Sequence, residues 1–142
     1  MYTTNSHELS GQDALDYILS GKGKGTLIGK AARYTFKFNQ PVDRDKVIFV
    51  SFLAGTDNET DYQYIGYISL ANREFLPGKK GNPNHPAYRA FDWYLRALSA
   101  QSEKSLQATF LHEGVCGRCG RTLTNPESIV RGIGPECAKH RP

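Results

Sequence analysis

The sequence predicts an α+β protein: an antiparallel β-meander with one long packed helix, followed by a small C-terminal module of treble-clef or zinc-ribbon-like type. Apolar residues alternate at strand period over residues 33–38 and return in β-rich runs at 47–54 and 62–70. A sustained helical period occurs at 86–98, and all three cysteines, Cys116, Cys119 and Cys137, lie near the C-terminus. The expected organisation is an α+β domain over residues 1–108 and a zinc-binding module over 109–142.

The elements follow in order. Ser10 with Asp13 three residues on resembles a capping box, Leu15, Ile18 and Leu19 form an apolar stripe, and Gly21 is placed to end this first helix. GKGKG, residues 21–25, reads as too glycine-rich for regular structure. In RYTFKF, Tyr34, Phe36 and Phe38 share the inward face of a half-buried strand, with Arg33, Thr35 and Lys37 on the other. VIFVSFLA, Val47 to Ala54, is apolar on both faces and suits a central strand. GTDNET carries turn chemistry, with its acidic run Asp57, Glu59 and Asp61 read as a solvated turn or equally as a contact for a basic partner, and YQYIGYISL returns as a strand. Asn72 and Arg73 turn the chain so that Glu74 to Leu76 forms a short edge strand. After the loop PGKKGNPNHP, Pro86 opens the long helix, with Ala87, Phe91, Tyr94, Leu95 and Leu98 on one side and Asp92–Arg96 paired on the other.

Composition bounds the function. A chain of 142 residues, 39% hydrophobic and 11% aromatic, can bury a real core and is neither a large multidomain enzyme nor a disordered tail. No apolar run reaches membrane-spanning length, and MYTTNSHELS has neither a basic n-region nor an apolar h-region, so a cytoplasmic protein with no membrane partner is expected. An odd cysteine count makes a poor disulfide framework.

The cysteines instead follow metal-ligand spacing. Cys116-Gly-Arg-Cys119 is a C-x2-C knuckle whose flanking glycines let backbone amides approach sulfur, and Cys137-Ala-Lys-His140 completes C-x2-C-x17-C-x2-H. Tetrahedral Zn2+ takes four such ligands from two chain segments. The expected set is Cys116, Cys119, Cys137 and His140, with His112 as the alternative fourth ligand. Isolated buried cysteines would explain neither the paired spacing nor the glycines. A redox C-x2-C would lack an enclosing βαβ unit and leave the third cysteine without a role. A catalytic zinc would need a general base; Glu113 and Glu136 are near in sequence, but the zinc-deaminase arrangement is absent. The metal is therefore expected to be structural and the protein not an enzyme.

The segment HEGVCGRCGRTLTNPESIVRGIGPEC, His112 to Cys137, resembles a short zinc-finger-like domain of unknown function frequent in bacteriophage and mobile-element proteins, with the signature CGRCGR, LT, P-x-S, G-x-G-P-x-C. The stretches FVSFLAGTDNETDYQYIGYISL and AYRAFDWYLRAL resemble the N-terminal part of proteins that carry it. The resemblance implies a phage-associated, metal-stapled protein found in the host cytoplasm, and says nothing of activity. It also favours His112 as a ligand, because the His-Glu-Gly before the knuckle belongs to the pattern and the residues after the last cysteine vary.

Net charge argues little for a partner: the formal +4 becomes +3 once three thiolates and Zn2+ are counted. Its distribution argues more. Lys22, Lys24, Lys30, Arg33 and Lys37 fall in a segment without acids, Lys79 and Lys80 mark a second basic loop, and Arg118, Arg121 and Arg131 surround the cysteines. Such residues beside aromatic strands can track phosphates while rings stack bases. The expectation is a non-enzymatic, zinc-stapled protein that binds nucleic acid or a host nucleoprotein through Lys22, Lys24, Lys30, Arg33, Lys37, Lys79 and Lys80. The alternative is an anti-defence inhibitor, such as an anti-CRISPR protein, that blocks a host protein; a zinc-dependent enzyme is the remote third. GKGKGTLIGK lacks the P-loop register, Ser6, His7 and Glu8 do not define a triad, and His85 reads as a neighbour of the helix cap.

Overall fold

The computed structural model describes residues 7–30, 32–57, 60–120 and 122. Their elements run β1 (Glu8–Leu9), α1 (Gly11–Leu19), β2 (Lys24–Ile28), β3 (Arg33–Asn39), β4 (Val47–Leu53), β5 (Tyr62–Ser69), β6 (Glu74–Leu76), α2 (Pro86–Ser99), a 3-10 turn (Glu103–Gln107) and β7 (Thr109–His112). The described strands form one seven-stranded sheet in the order β1-β7-β2-β3-β4-β5-β6, with every neighbouring pair antiparallel. With two helices on this sheet, the fold is α+β.

Strands β3 to β6 are the expected meander, and β2, which the sequence reading did not expect, adds a further strand to it, each hydrogen-bonded to the next. The sheet also extends past it. β7 enters between β1 and β2, pairing Leu27 with Phe110 and Leu9 with Phe110 on its two sides. The sheet thus runs through His112.

One face of the sheet carries the core. Phe91 of α2 meets Phe36 at 5.1 Å, Phe75 at 4.9 Å and Phe38 at 5.6 Å between ring centroids. Tyr17 of α1 and Tyr94 of α2 both pack on Phe110 of β7. Phe36 and Phe38 are buried as alternation requires, and Tyr34 is half-buried against them. Ser10 occupies the N-cap position of α1 but its hydroxyl makes no cap bond, whereas His85 caps α2 outright, its Nδ1 accepting from the Ala87 amide at 3.0 Å.

Two sequence expectations are corrected. GKGKG is not wholly irregular: Lys24 and Gly25 begin β2, bonded to β3 on one side and β7 on the other. Gly25 sits there because any side chain would collide with the Phe110 ring lying over its backbone. β4 is central in the sheet but not buried on both faces: Ile48, Val50 and Phe52 point into the core, while Val47, Phe49, Ser51 and Leu53 are only half-buried. Both helices occupy the same side, so the described residues leave the opposite face of the meander open.

Candidate nucleic-acid interface

The open face is built row by row from strand register. Lys24 of β2 stands beside Lys37 of β3, then Ser51 of β4 and Tyr64 of β5. The next row runs Asn39, Phe49, Tyr67 and Leu76 across β3 to β6. Tyr64 and Tyr67 have odd spacing and would face opposite sides of a regular strand. They share a face because the β4–β5 register shifts at Val50/Ser51, opposite Gly66 and Tyr64, leaving Ile65 as the extra residue. This bulge sends Ile65 and Ile68 into the core and gathers Tyr62, Tyr64 and Tyr67 on the open side.

Cations converge on these rings. The Lys24 and Lys37 ammonium groups lie 5.3 Å and 5.5 Å from the centroid of Tyr62, reaching across β4 over the small Ser51 side chain. Lys22 Nζ donates to Asn39 Oδ1 at 2.6 Å, bringing a third lysine to the same area. Phe49 and Tyr64 meet edge-on at 5.9 Å. Burial, and secondarily the neighbouring Tyr67, push the Tyr64 hydroxyl above the ordinary tyrosine range, so it remains a neutral donor.

The other predicted basic residues are distributed differently. Lys30 and Arg33 are exposed at the far end of the β2–β3 hairpin, about 13 Å along the strands from Lys24 and Lys37. Lys79 and Lys80 join Arg44, Phe49 and Tyr64 around a recess of about 420 Å³. Residues the sequence reading did not single out are Phe49, Tyr62, Tyr64, Tyr67 and Arg44. Their signal was the YxYxxY spacing, which breaks alternation where the bulge falls.

The cysteine knuckle begins directly after β7. Cys116 is buried and Cys119 exposed. Val115 bridges Thr122, and Gly120 N–H donates to Cys116 O at 2.9 Å, so the two cysteines occupy a hairpin tip. The Arg118 amide donates to Cys116 Sγ at 3.4 Å, the amide-to-sulfur contact that the flanking glycines suggested. Tyr17 bolts this hairpin to the sheet: its hydroxyl accepts from Lys24 N–H at 3.1 Å and donates to Val115 O at 2.9 Å. Gly117 is packed on the Tyr17 ring, and its carbonyl accepts from Lys22 N–H at 2.7 Å.

His112 is buried at the end of β7, between the rings of His7 and Tyr17. Its Nδ1 accepts from the Gly114 amide at 3.0 Å, so a metal at His112 would have to use Nε2. Among the described residues no group of three or more His, Cys, Asp or Glu side chains is arranged to hold a metal. Cys137 and His140, like Arg121, Arg131 and Glu136, lie outside the described residues.

Residues 107–142 match the model of a family of unknown function, DUF6011. The match spans the last strand, the knuckle and the segment to the C-terminus, and marks that quarter of the chain as a recognisable but uncharacterised domain. Neither the curated proteins nor the solved structures gave a match to this chain. No described helix is long and apolar enough to cross a membrane.

Proposed function

We propose that this is a non-enzymatic binding protein that takes nucleic acid on the open face of its sheet. The observation that carries the reading is the pair Lys24 and Lys37, directly opposite each other on adjacent strands and both drawn over the ring of Tyr62. A phosphate placed between two facing lysines makes two charge-assisted contacts. Lys22, held at Asn39, extends the cationic track, while Lys30 and Arg33 would contact more distant phosphates.

In the same reading Zn2+ is a structural staple held by Cys116, Cys119 and Cys137 with His140 or His112. The donor set is thiolate-rich, and the Arg118 amide already directed at Cys116 Sγ is what a negatively charged sulfur ligand requires. The metal would supply cross-linking of two chain segments and no reaction chemistry. The CGRCGR signature is the support for a bacteriophage or mobile-element origin.

The test is fluorescence anisotropy of labelled oligonucleotides against salt. Binding should weaken on a log–log plot by about 0.7 per phosphate neutralised for single strands, and Lys24→Gln with Lys37→Gln should lower that slope. A salt-insensitive protein that retains a host protein after nuclease treatment would instead establish the inhibitor alternative.

A further inference from the structure

We infer that the recess beside Phe49 receives one unpaired nucleotide, its base against Phe49 and Tyr64 and its phosphate held by Lys79, Lys80 and Arg44. The inference rests on the nucleic-acid reading above and narrows it from nucleic acid in general to single strands. Its floor is the edge-on pair Phe49 and Tyr64, half-buried rings on the uncovered side of the sheet. Its rim is cationic from two directions, Arg44 before β4 and the Lys79–Lys80 loop after β6. That loop's backbone runs beside the tyrosines: at Gly78, φ +62, a Cβ would lie 3.3 Å from the Tyr67 ring and 3.4 Å from the Tyr64 hydroxyl. A residue that avoids both the left-handed strain and the contact is glycine, and it places the two lysines that follow beside the aromatic floor.

Charge distinguishes this recess from a second hollow that also borders Phe49. The neighbouring one, about 440 Å³, is lined by Asp43 and Asp45 as well as Arg44 and Lys46, a mixed rim that does not favour a polyanion. The recess at Tyr64 has cations alone, and none of Arg44, Lys79 or Lys80 is ion-paired to another described residue. Its volume of about 420 Å³ is in the range of small-ligand sites and far below what a duplex would need to enter. The ring faces of paired bases are already stacked, so only an unpaired base can lay its π-face on one of these two perpendicular rings, with the other ring at its edge. RNA and DNA share this chemistry, and the 2′-hydroxyl distinguishes them.

The experiment compares oligo-dT, oligo-rU and a DNA duplex, each of about 15 nucleotides, against the full-length protein. Both single strands, or one of them, should bind more tightly than the duplex, and Tyr64→Leu should weaken that binding by roughly 5- to 150-fold, the range for losing one stacked base. Lys79→Gln with Lys80→Gln, in an exposed loop where folding is not at stake, should lower the salt slope by about 0.7 for each phosphate lost. Equal binding of duplex and single strand, unaltered by Tyr64→Leu, overturns the inference while the nucleic-acid reading stands. Salt-dependent binding absent for all three overturns both. A homodimer that Tyr64→Leu dissociates, with no oligonucleotide bound, assigns the face to a second copy and also overturns it.

Discussion

Replacing Tyr17 by phenylalanine isolates the contact that joins the sheet to the cysteine hairpin. The ring is fully buried, so Tyr17→Phe preserves its packing on Phe110 and Gly117 and deletes a single oxygen. That oxygen accepts from Lys24 N–H at 3.1 Å and donates to Val115 O at 2.9 Å, with Lys24 O also within reach at 3.3 Å. Lys24 O is separately served by the Glu113 amide at 2.7 Å, so Lys24 N–H and Val115 O bear the loss. A buried backbone group left without its partner costs about 1–3 kcal/mol, and phenylalanine recovers part of that by bringing no hydroxyl into the core. The net loss should be about 2–4 kcal/mol, or roughly 6–15 °C in Tm for a chain of this size. Tyr94→Phe is the matched control: equally buried against Phe110, its hydroxyl makes no hydrogen bond to a described residue, and it should cost under about 1 kcal/mol. Thermal unfolding followed by circular dichroism reads both. Equal losses for the two variants, or a Tyr17→Phe loss below about 0.5 kcal/mol, would refute the role given to the hydroxyl.

Burial pushes the hydroxyls of both Tyr17 and Tyr94 above the ordinary tyrosine range, with Cys116 and Glu113 adding to the first and Glu8 to the second. The folded protein then keeps protons that the unfolded chain releases, so their contribution to stability should be complete below about pH 10 and decline above it. Urea midpoints between about pH 8 and 11 should show that decline, and the Tyr17→Phe/Tyr94→Phe double variant should flatten it. Gly25→Ala forces a methyl into the Phe110 ring and should cost about 1–3 kcal/mol by urea unfolding; a neutral result would mean that Phe110 does not lie over β2. Protein purified without chelator should carry about one equivalent of zinc, falling well below that in Cys116→Ser; wild-type protein without zinc would end the staple proposal.

Much of the fold was legible because local pattern and global role agreed. RYTFKF alternates strictly and became β3 with Phe36 and Phe38 inside, and Pro86 began a helix whose stripe Ala87, Phe91, Tyr94, Leu95 and Leu98 is buried. The i,i+4 pair on its outer side forms as expected, with Arg96 Nε 3.0 Å from Asp92 Oδ1. What escaped the sequence reading depended on distant residues. Gly25 joins a strand because Phe110, far along the chain, needs the space above it. β7 is a short segment, TFLH, whose place between β1 and β2 no local pattern announces. Val47 to Ala54 suggested burial on both faces because Phe49 and Leu53 are apolar, and apolar residues on an open face cannot be told from core by hydrophobicity alone.

The candidate site divides along the same line. The basic residues were found from their run in the sequence, but which of them cooperate is a matter of register: Lys24 and Lys37 meet because β2 and β3 pair with those residues opposite, while Lys30 and Arg33 are carried to the other end of the hairpin. The aromatic half of the site was hidden by a bulge, since Tyr64 and Tyr67 share a face only where one residue is inserted. The knuckle was visible from spacing, whereas the hydroxyl of Tyr17 that fastens it was not, because nothing in a helix stripe marks one tyrosine as a bolt.

The central claim is that nucleic acid lies on the open face of the sheet, and amide chemical-shift mapping during titration with oligo-dT tests it directly. Shifts should concentrate at Lys24, Lys37, Ser51, Tyr62, Tyr64 and Lys79–Lys80, with Arg89, Trp93 and Arg96 on the outer side of α2 unmoved. Shifts confined to α2, or none at all at saturating oligonucleotide, would contradict it.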